Sequence, residues 1–126
     1  MNDNFCIGVD IEDISRFKNL NKKDHKSFLN NVYTENELDY CYSKSKPEQH
    51  LAARFAAKEA VIKALSGMNF LKIEDLPRHF EITRDENNSA RINFLSENKL
   101  NFKFRVSMSH SNNMAMAFVV GIKNEK

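Results

Sequence analysis

Two acids on an alternating segment and a glutamate–lysine pair are the parts of this sequence best suited to chemistry. Asp10 and Glu12 share one side of residues 5–14, FCIGVDIEDI, with Ile7, Val9 and Ile11 on the other. Gly8 stands beside the acids and leaves space for something to approach the backbone. Glu59 and Lys63 lie four residues apart within EQHLAARFAAKEAVIKALS, so on a helix they face one way. Their neighbours are apolar, which puts the pair at the edge of a core. A carboxylate and an ammonium there suit a hard cation and a phosphate. Mg²⁺ is commonly held by one or two carboxylates, with substrate phosphate oxygens and water completing the octahedron. Asp10, Glu59 and Lys63 would supply that set if strand and helix meet. Plainer readings stand beside this one: acids on a solvated strand face, and a surface ion pair worth ~0.3–0.5 kcal/mol.

His110 closes the strand-like VSMSH, among Ser107, Ser109 and Ser111. It fits a polar pocket, and equally a structural or exposed residue. Neither a GxSxG elbow nor a phosphate loop nor GxGxxG is present. His25, His50, His79 and His110 are scattered and neither cysteine sits close to the other, which disfavours zinc. Arg16, Lys18, Lys22, Lys23 and Lys26 interleave with Phe17, Leu20, Phe28 and Leu29. Such a stretch suits a solvated face, or the docking of an acidic amphipathic helix. It is too small for a nucleic-acid surface.

The elements that must position these groups fit one domain over residues 1–126. The chain is 41% apolar and 29% charged, with 19 basic against 17 acidic residues, so overall charge selects no partner. The longest apolar run, MAMAFVV at 114–120, is far below the roughly 20 residues that span a bilayer. The start lacks a secretory h-region, and Cys6 and Cys41 form neither CxxC nor a disulfide framework, so the cytosol is expected and no membrane. After the first strand, Asp13 or Ser15 would open a short helix carrying Phe17 and Leu20, with another helical turn or two at 24–32. Thr34-x-x-Glu37 is a capping box ahead of Leu38 and Cys41. Pro47 and Gly67 bracket a long helix over 48–66 whose apolar stripe is wide enough for burial on most sides. Short strands at 80–84 and 90–94 flank a turn at 85–89, a helical turn follows at 96–100, and longer strands at 102–110 and 114–122 flank residues 111–113. The fold class is α+β, one long buried helix packed on a mostly antiparallel sheet.

Three segments carry a resemblance. IGVDIEDISRF at 7–17, LAARFAAKEAVIKAL at 51–65 and VSMSHSNNMAMAFVV at 106–120 resemble, in order and spacing, the holo-(acyl-carrier-protein) synthases. These are the small bacterial branch of the 4′-phosphopantetheinyl transferases, and the resemblance spans essentially the whole chain. It implies that family's fold and its reaction: the 4′-phosphopantetheine arm of coenzyme A moves to a serine of apo acyl carrier protein, releasing adenosine 3′,5′-bisphosphate. It implies Asp10 and Glu59 as ligands of a Mg²⁺ that bridges the coenzyme A diphosphate, with Mn²⁺ as a second choice the sequence does not rank. Lys63 would touch the diphosphate and act with Glu59 in catalysis, Glu59 or a water it holds taking the serine proton. Arg54, Gly67 and His110 fall at the coenzyme A site, and Arg16, Lys22, Lys23 and Phe28 in the region that docks the acidic carrier. The family further implies a homotrimer with coenzyme A clefts shared between subunits, across which Arg54 and His110 would act.

The chain departs from the family in three places. Ser66-Gly67-Met68 replaces a GTG-like turn, and Asn-Asn-Ser replaces a Gly-Lys-Pro type of hairpin turn. Glu12 stands where members often carry a neutral residue, and would give the metal a third oxygen, directly or through water. Two rival readings keep the same residues: a non-catalytic module binding an acidic helix, and another Mg²⁺-dependent enzyme acting on a nucleotide or pyrophosphate. Preference for coenzyme A over ATP separates them.

Overall fold

The computed structural model describes residues 4–66, 77–95 and 102–124. Strand β1, Phe5–Asp13, stops where Ile14–Phe17 winds into a 3₁₀ turn, pinned by the Ile14 amide donating to Asn113 O at 2.9 Å. Asp13 precedes that turn in extended backbone and does not cap it through its side chain. Helix α1, Lys26–Val32, begins later than the residues at 24–32 suggest. Helix α2, Glu35–Tyr42, opens on the full capping box: Thr34 Oγ1 accepts from the Glu37 amide, and Glu37 Oε1 from the Thr34 amide at 2.8 Å. Helix α3 runs Pro47–Ser66, with Pro47 at its first position, where no amide bond is lost. A second 3₁₀ turn, Pro77–His79, leads into β2, Phe80–Arg84, and β3, Ala90–Phe94; β4, Phe102–His110, and β5, Met114–Lys123, follow. The expected cap at Gly67 and the helical turn at 96–100 lie outside the described residues.

The β2–β3 hairpin turns without glycine. Asp85 Oδ1 accepts from the Asn87 and Ser89 amides at 2.9 and 3.0 Å, and Asn88 takes the left-handed conformation, φ 63°, which Asn tolerates best after Gly. The other sheet is antiparallel in the order β1-β5-β4. Its registers place Gly8, Val119 and Val106 in one rung, Asp10, Ala117 and Met108 in the next, and Glu12, Ala115 and His110 in the third. These positions share the side of the sheet on which α3 packs, with His110 exposed at its end.

The alternation in β1 holds, but its apolar face is the outward one. Ile7, Val9 and Ile11 are 57%, 50% and 58% exposed, and Phe5, Met116, Phe118 and Ile122 are exposed on the same side. Inward, small residues let the helix come close. An added Cβ at Gly8 would land on the Ala60 carbonyl oxygen, with the carbonyl carbon 2.8 Å away. Leu51, Ala52, Ala56, Ala57, Ala60, Val61 and Leu65 of α3 are buried, as the wide stripe predicts. One core cluster joins α3 to both sheets; a second joins it to α1, α2 and Cys41.

Candidate active site

At the contact between α3 and β1, Lys63 Nζ donates to Asp10 Oδ1 at 3.0 Å and to Val9 O at 3.1 Å. The ion pair seen is therefore Lys63 with Asp10, not Lys63 with Glu59. Asp10 Oδ2 is buried and accepts no hydrogen bond. Its cross-strand neighbour is the small Ala117, and the charged groups around it are Lys63, Glu12 and Glu59. Glu59 lies one turn before Lys63. Burial and the Asp10 charge push its carboxyl above the ordinary value, and Lys63 offsets part of this. Asp10 and Glu59 thus repel each other around an acceptor that lacks a donor. Glu12 is buried too, and its Oε1 accepts from Arg16 Nη1. Burial and Asp10 push Glu12 up to about 7 against the pull of Arg16. Among the described residues no three His, Cys, Asp or Glu side chains converge on a closed metal cage. Asp10 and Glu59 form the open part of this acidic group, and Glu12, held through Oε1 by Arg16, lies against Asp10 as well.

A second charged cluster lies on another side of α3. Arg54 is 1% exposed, with its guanidinium 4.2 Å from the centre of the Tyr40 ring; its Nε and Nη1 are buried without partners. It lines a cavity of about 220 Å³ with Asn36, Tyr40, Thr83 and Arg84. Lys44 Nζ lies 4.6 Å from the Tyr40 ring centre, and His50 meets the same ring edge-on at 5.6 Å. His110 is exposed at the end of β4, and its charge still opposes protonation of His50. Arg54 and His110, both singled out from sequence, line different cavities, and His50 is the group on which both act electrostatically. Lys44, His50 and Arg84 were not legible as members of the cluster, because they come from separate elements with no motif linking them. Of the three serines near His110, Ser109 and Ser111 share a cavity with it. Ser107 lies on the outward face, and Ser111 Oγ accepts from the Asn113 and Met114 amides of the turn.

The basic stretch forms a surface beside the end of β1. Arg16, Lys22, Lys23 and Phe28 are exposed, whereas Phe17 and Leu29, which interleave with them in sequence, are core. The Arg16 guanidinium lies 5.8 Å from the Phe55 ring centre, and Phe28 stacks on the same ring at 6.0 Å. Lys22 pairs loosely with Asp39 at 3.6 Å.

Lys58, next to Glu59, carries the structure beneath the site. It is wholly buried and donates to Glu37 Oε1 at 2.8 Å, Pro77 O at 2.6 Å and Phe80 O at 2.7 Å. Glu37 Oε2 accepts from the Ile82 amide at 2.7 Å. The capping-box glutamate thus ties α2, α3 and β2 together, and fixes the turn of α3 that carries Glu59.

Comparison with known proteins agrees with this architecture. The model of the 4′-phosphopantetheinyl transferase superfamily matches residues 6–119. The chain is 41% identical over 114 residues to the holo-(acyl-carrier-protein) synthase of Thermodesulfovibrio yellowstonii, covering 90% of this chain and 95% of that protein. It superimposes on the crystal structure of the Neisseria meningitidis synthase with a TM-score of 0.78 at 31% identity, covering 94% and 98% of the two chains. The Helicobacter pylori synthase in complex with coenzyme A gives 0.74 at 27% identity, covering 91% and 98%. The two solved structures share the α+β arrangement of this chain.

Proposed function

Because the chain belongs to the 4′-phosphopantetheinyl transferase superfamily, among its holo-(acyl-carrier-protein) synthases, we propose that it moves 4′-phosphopantetheine from coenzyme A to a serine of apo acyl carrier protein. The serine oxygen bonds to the phosphorus that carries pantetheine. The bridging oxygen of the diphosphate then leaves with adenosine 3′,5′-bisphosphate. The observation that carries this reading is the buried, partnerless Asp10 Oδ2 beside Glu59 and Lys63.

A buried carboxylate oxygen without a donor, beside a second carboxylate that it repels, fits a hard divalent cation that draws its other oxygens from phosphate and water. Asp10 and Glu59 would hold it, as Mg²⁺ or Mn²⁺. When bound, the ion neutralises diphosphate charge as the phosphorus–oxygen bond breaks. The Lys63 side chain is 55% exposed, so it reaches from Asp10 to a further diphosphate oxygen and stabilises the leaving charge. Glu59, with its carboxyl already raised, accepts the serine proton directly or through a held water. Glu12 Oε1 is held by Arg16, which leaves Oε2 as the oxygen for a third ligand bond, direct or through water. A Mn²⁺ binding isotherm unchanged in Glu12→Ala rules that role out.

Arg54 and His110 are left to take the other phosphate of coenzyme A. Arg54 and Lys63 are nine residues apart, about two and a half helical turns, so they leave opposite sides of α3. Lys63 points to β1 and Arg54 to Tyr40 on α2. One coenzyme A touching both spans two protomers. The outward face of β1 and β5, with Ile7, Val9, Ile11 and Phe118 all 42% exposed or more, gathers exposed large apolar side chains in one place, the pattern that marks an interaction surface. Both observations support a homotrimer with shared clefts, the number of subunits resting on the family resemblance. Arg16, Lys22, Lys23 and Phe28 offer the acidic carrier a cationic surface with an aromatic centre.

The test is intact mass of an apo acyl carrier protein incubated with this protein, coenzyme A and Mg²⁺. A gain of about 340 Da, dependent on metal and abolished by Glu59→Gln, is expected for one phosphopantetheinyl group. Coenzyme A binding without any gain on several carriers refutes the acceptor; no binding refutes the reaction.

A further inference from the structure

Tyr40 gathers positive charge from several parts of the fold. Arg54 lies over its ring at 4.2 Å, Lys44 at 4.6 Å, and His50, one turn before Arg54 on α3, meets it edge-on. Arg84 of β2 shares the cavity with Arg54 and Tyr40, and His110 of β4 acts on His50 electrostatically. The acid lining this cavity, Glu37, is spent: its oxygens already accept from Lys58 and from the Thr34 and Ile82 amides. Glu37 is thus paired with Lys58, the nearby Glu81 is held by Thr34 and Asn36, and two buried Arg54 N–H groups have no acceptor. Burial, with Arg54, Lys44, His110 and Arg84, lowers the His50 pKa and so disfavours its imidazolium form while the cavity is empty. A dianion arriving among these groups reverses the local field.

We propose that His50 is a proton switch within this anion site: it takes up a proton when a phosphomonoester dianion occupies the cluster and gives it up when the cluster empties. This rests on the coenzyme A reading above, since the diphosphate goes to Lys63 and leaves the phosphomonoester of coenzyme A for Arg54. Binding is then linked to protons. Affinity for coenzyme A rises as pH falls through the interval between the free and bound titrations of His50, by up to about tenfold per pH unit. The switch needs no direct contact between imidazole and phosphate, only the change of field.

Calorimetric titration of the whole protein with coenzyme A, in buffers of different ionisation enthalpy at pH 7, reads the protons exchanged. The wild-type protein is expected to take up a measurable fraction of a proton per site more than His50→Gln. The phosphomonoester itself titrates near pH 6 and moves protons the other way, but equally in both proteins, so the difference isolates His50. Failure of either protein to bind coenzyme A overturns the functional reading and this proposal with it. Binding by both with equal proton exchange overturns the switch alone, as does uptake that survives His50→Gln and disappears in His110→Gln. Should His50→Gln not fold, the imidazole resonances of wild-type His50 give the same answer: its titration midpoint is expected to move up on saturation with coenzyme A, and an unmoved midpoint refutes the proposal.

Discussion

Gly8→Ala places a single methyl group where α3 already sits. The new carbon would fall on the Ala60 carbonyl oxygen, 2.8 Å from the carbonyl carbon and 3.0 Å from the Ala64 nitrogen. Carbon atoms pack at about 3.5–4.0 Å, and all three obstacles are main-chain atoms that no rotamer change can move aside. The helix must therefore lift off β1 by roughly an ångström. Overpacking of this kind costs about 3 kcal/mol, the upper part of its usual range, because the clash is with backbone. Loss of the glycine also removes chain entropy from the unfolded state, since no glycine among the described residues has positive φ; this returns at most about 1 kcal/mol. The net effect is about 2 kcal/mol of destabilisation, or a fall in Tm of roughly 6–10 °C for a chain of this size. Urea denaturation reads it as a lower midpoint with unchanged slope. Asp10 is two residues on and bonded to the same helix, so weaker coenzyme A binding should accompany the loss. Adding Ala60→Gly should not rescue the variant, because the obstacle is a carbonyl and not a side chain. A Gly8→Ala protein melting within a degree of wild type refutes the packing argument.

Lys58→Met keeps volume but strands the buried Glu37 carboxylate and two carbonyls, and should cost about 3–5 kcal/mol in chemical denaturation. In metal-free protein Glu12, raised to about 7, holds its proton longer when folded than when unfolded, so its contribution is present below its unfolded value and is lost as pH climbs through 7. Stability measured from pH 4.5 to 8 should fall less steeply in Glu12→Gln than in wild type. Phe118→Glu on the outward face should shift the light-scattering mass to that of one protomer while leaving circular dichroism unchanged.

Local chemistry was the legible part of this sequence. The capping box at Thr34 and Glu37, the proline-led helix and the hairpin residues form what their types dictate, because the interactions span only a few residues. Asp10, Glu59 and Lys63 could be suspected because charge on apolar elements is costly, but their meeting depends on the register of β1 against α3. The direction of β1 was not legible. Alternation gives two faces without saying which is inside, and here Gly8, which admits the helix backbone, decides against the apolar one. Lys58 escaped notice because an adjacent lysine–glutamate pair in sequence looks alike whether it is solvated or buried. The cluster at Tyr40 escaped because side chains from α2, the residues just after it, α3 and β2 meet only after folding.

The half-turn between Arg54 and Lys63 has a genetic corollary. If each reaction centre takes Lys63 from one copy and Arg54 from the next, Arg54→Ala and Lys63→Ala are each inactive alone yet complement when mixed. In randomly reassorted rings about a quarter of the junctions regain both intact side chains, so up to about a quarter of the activity returns. Two alleles that each abolish growth would then support it together in one cell, whereas Asp10→Ala and Lys63→Ala, whose wild-type side chains bond to each other within one protomer, would never do so.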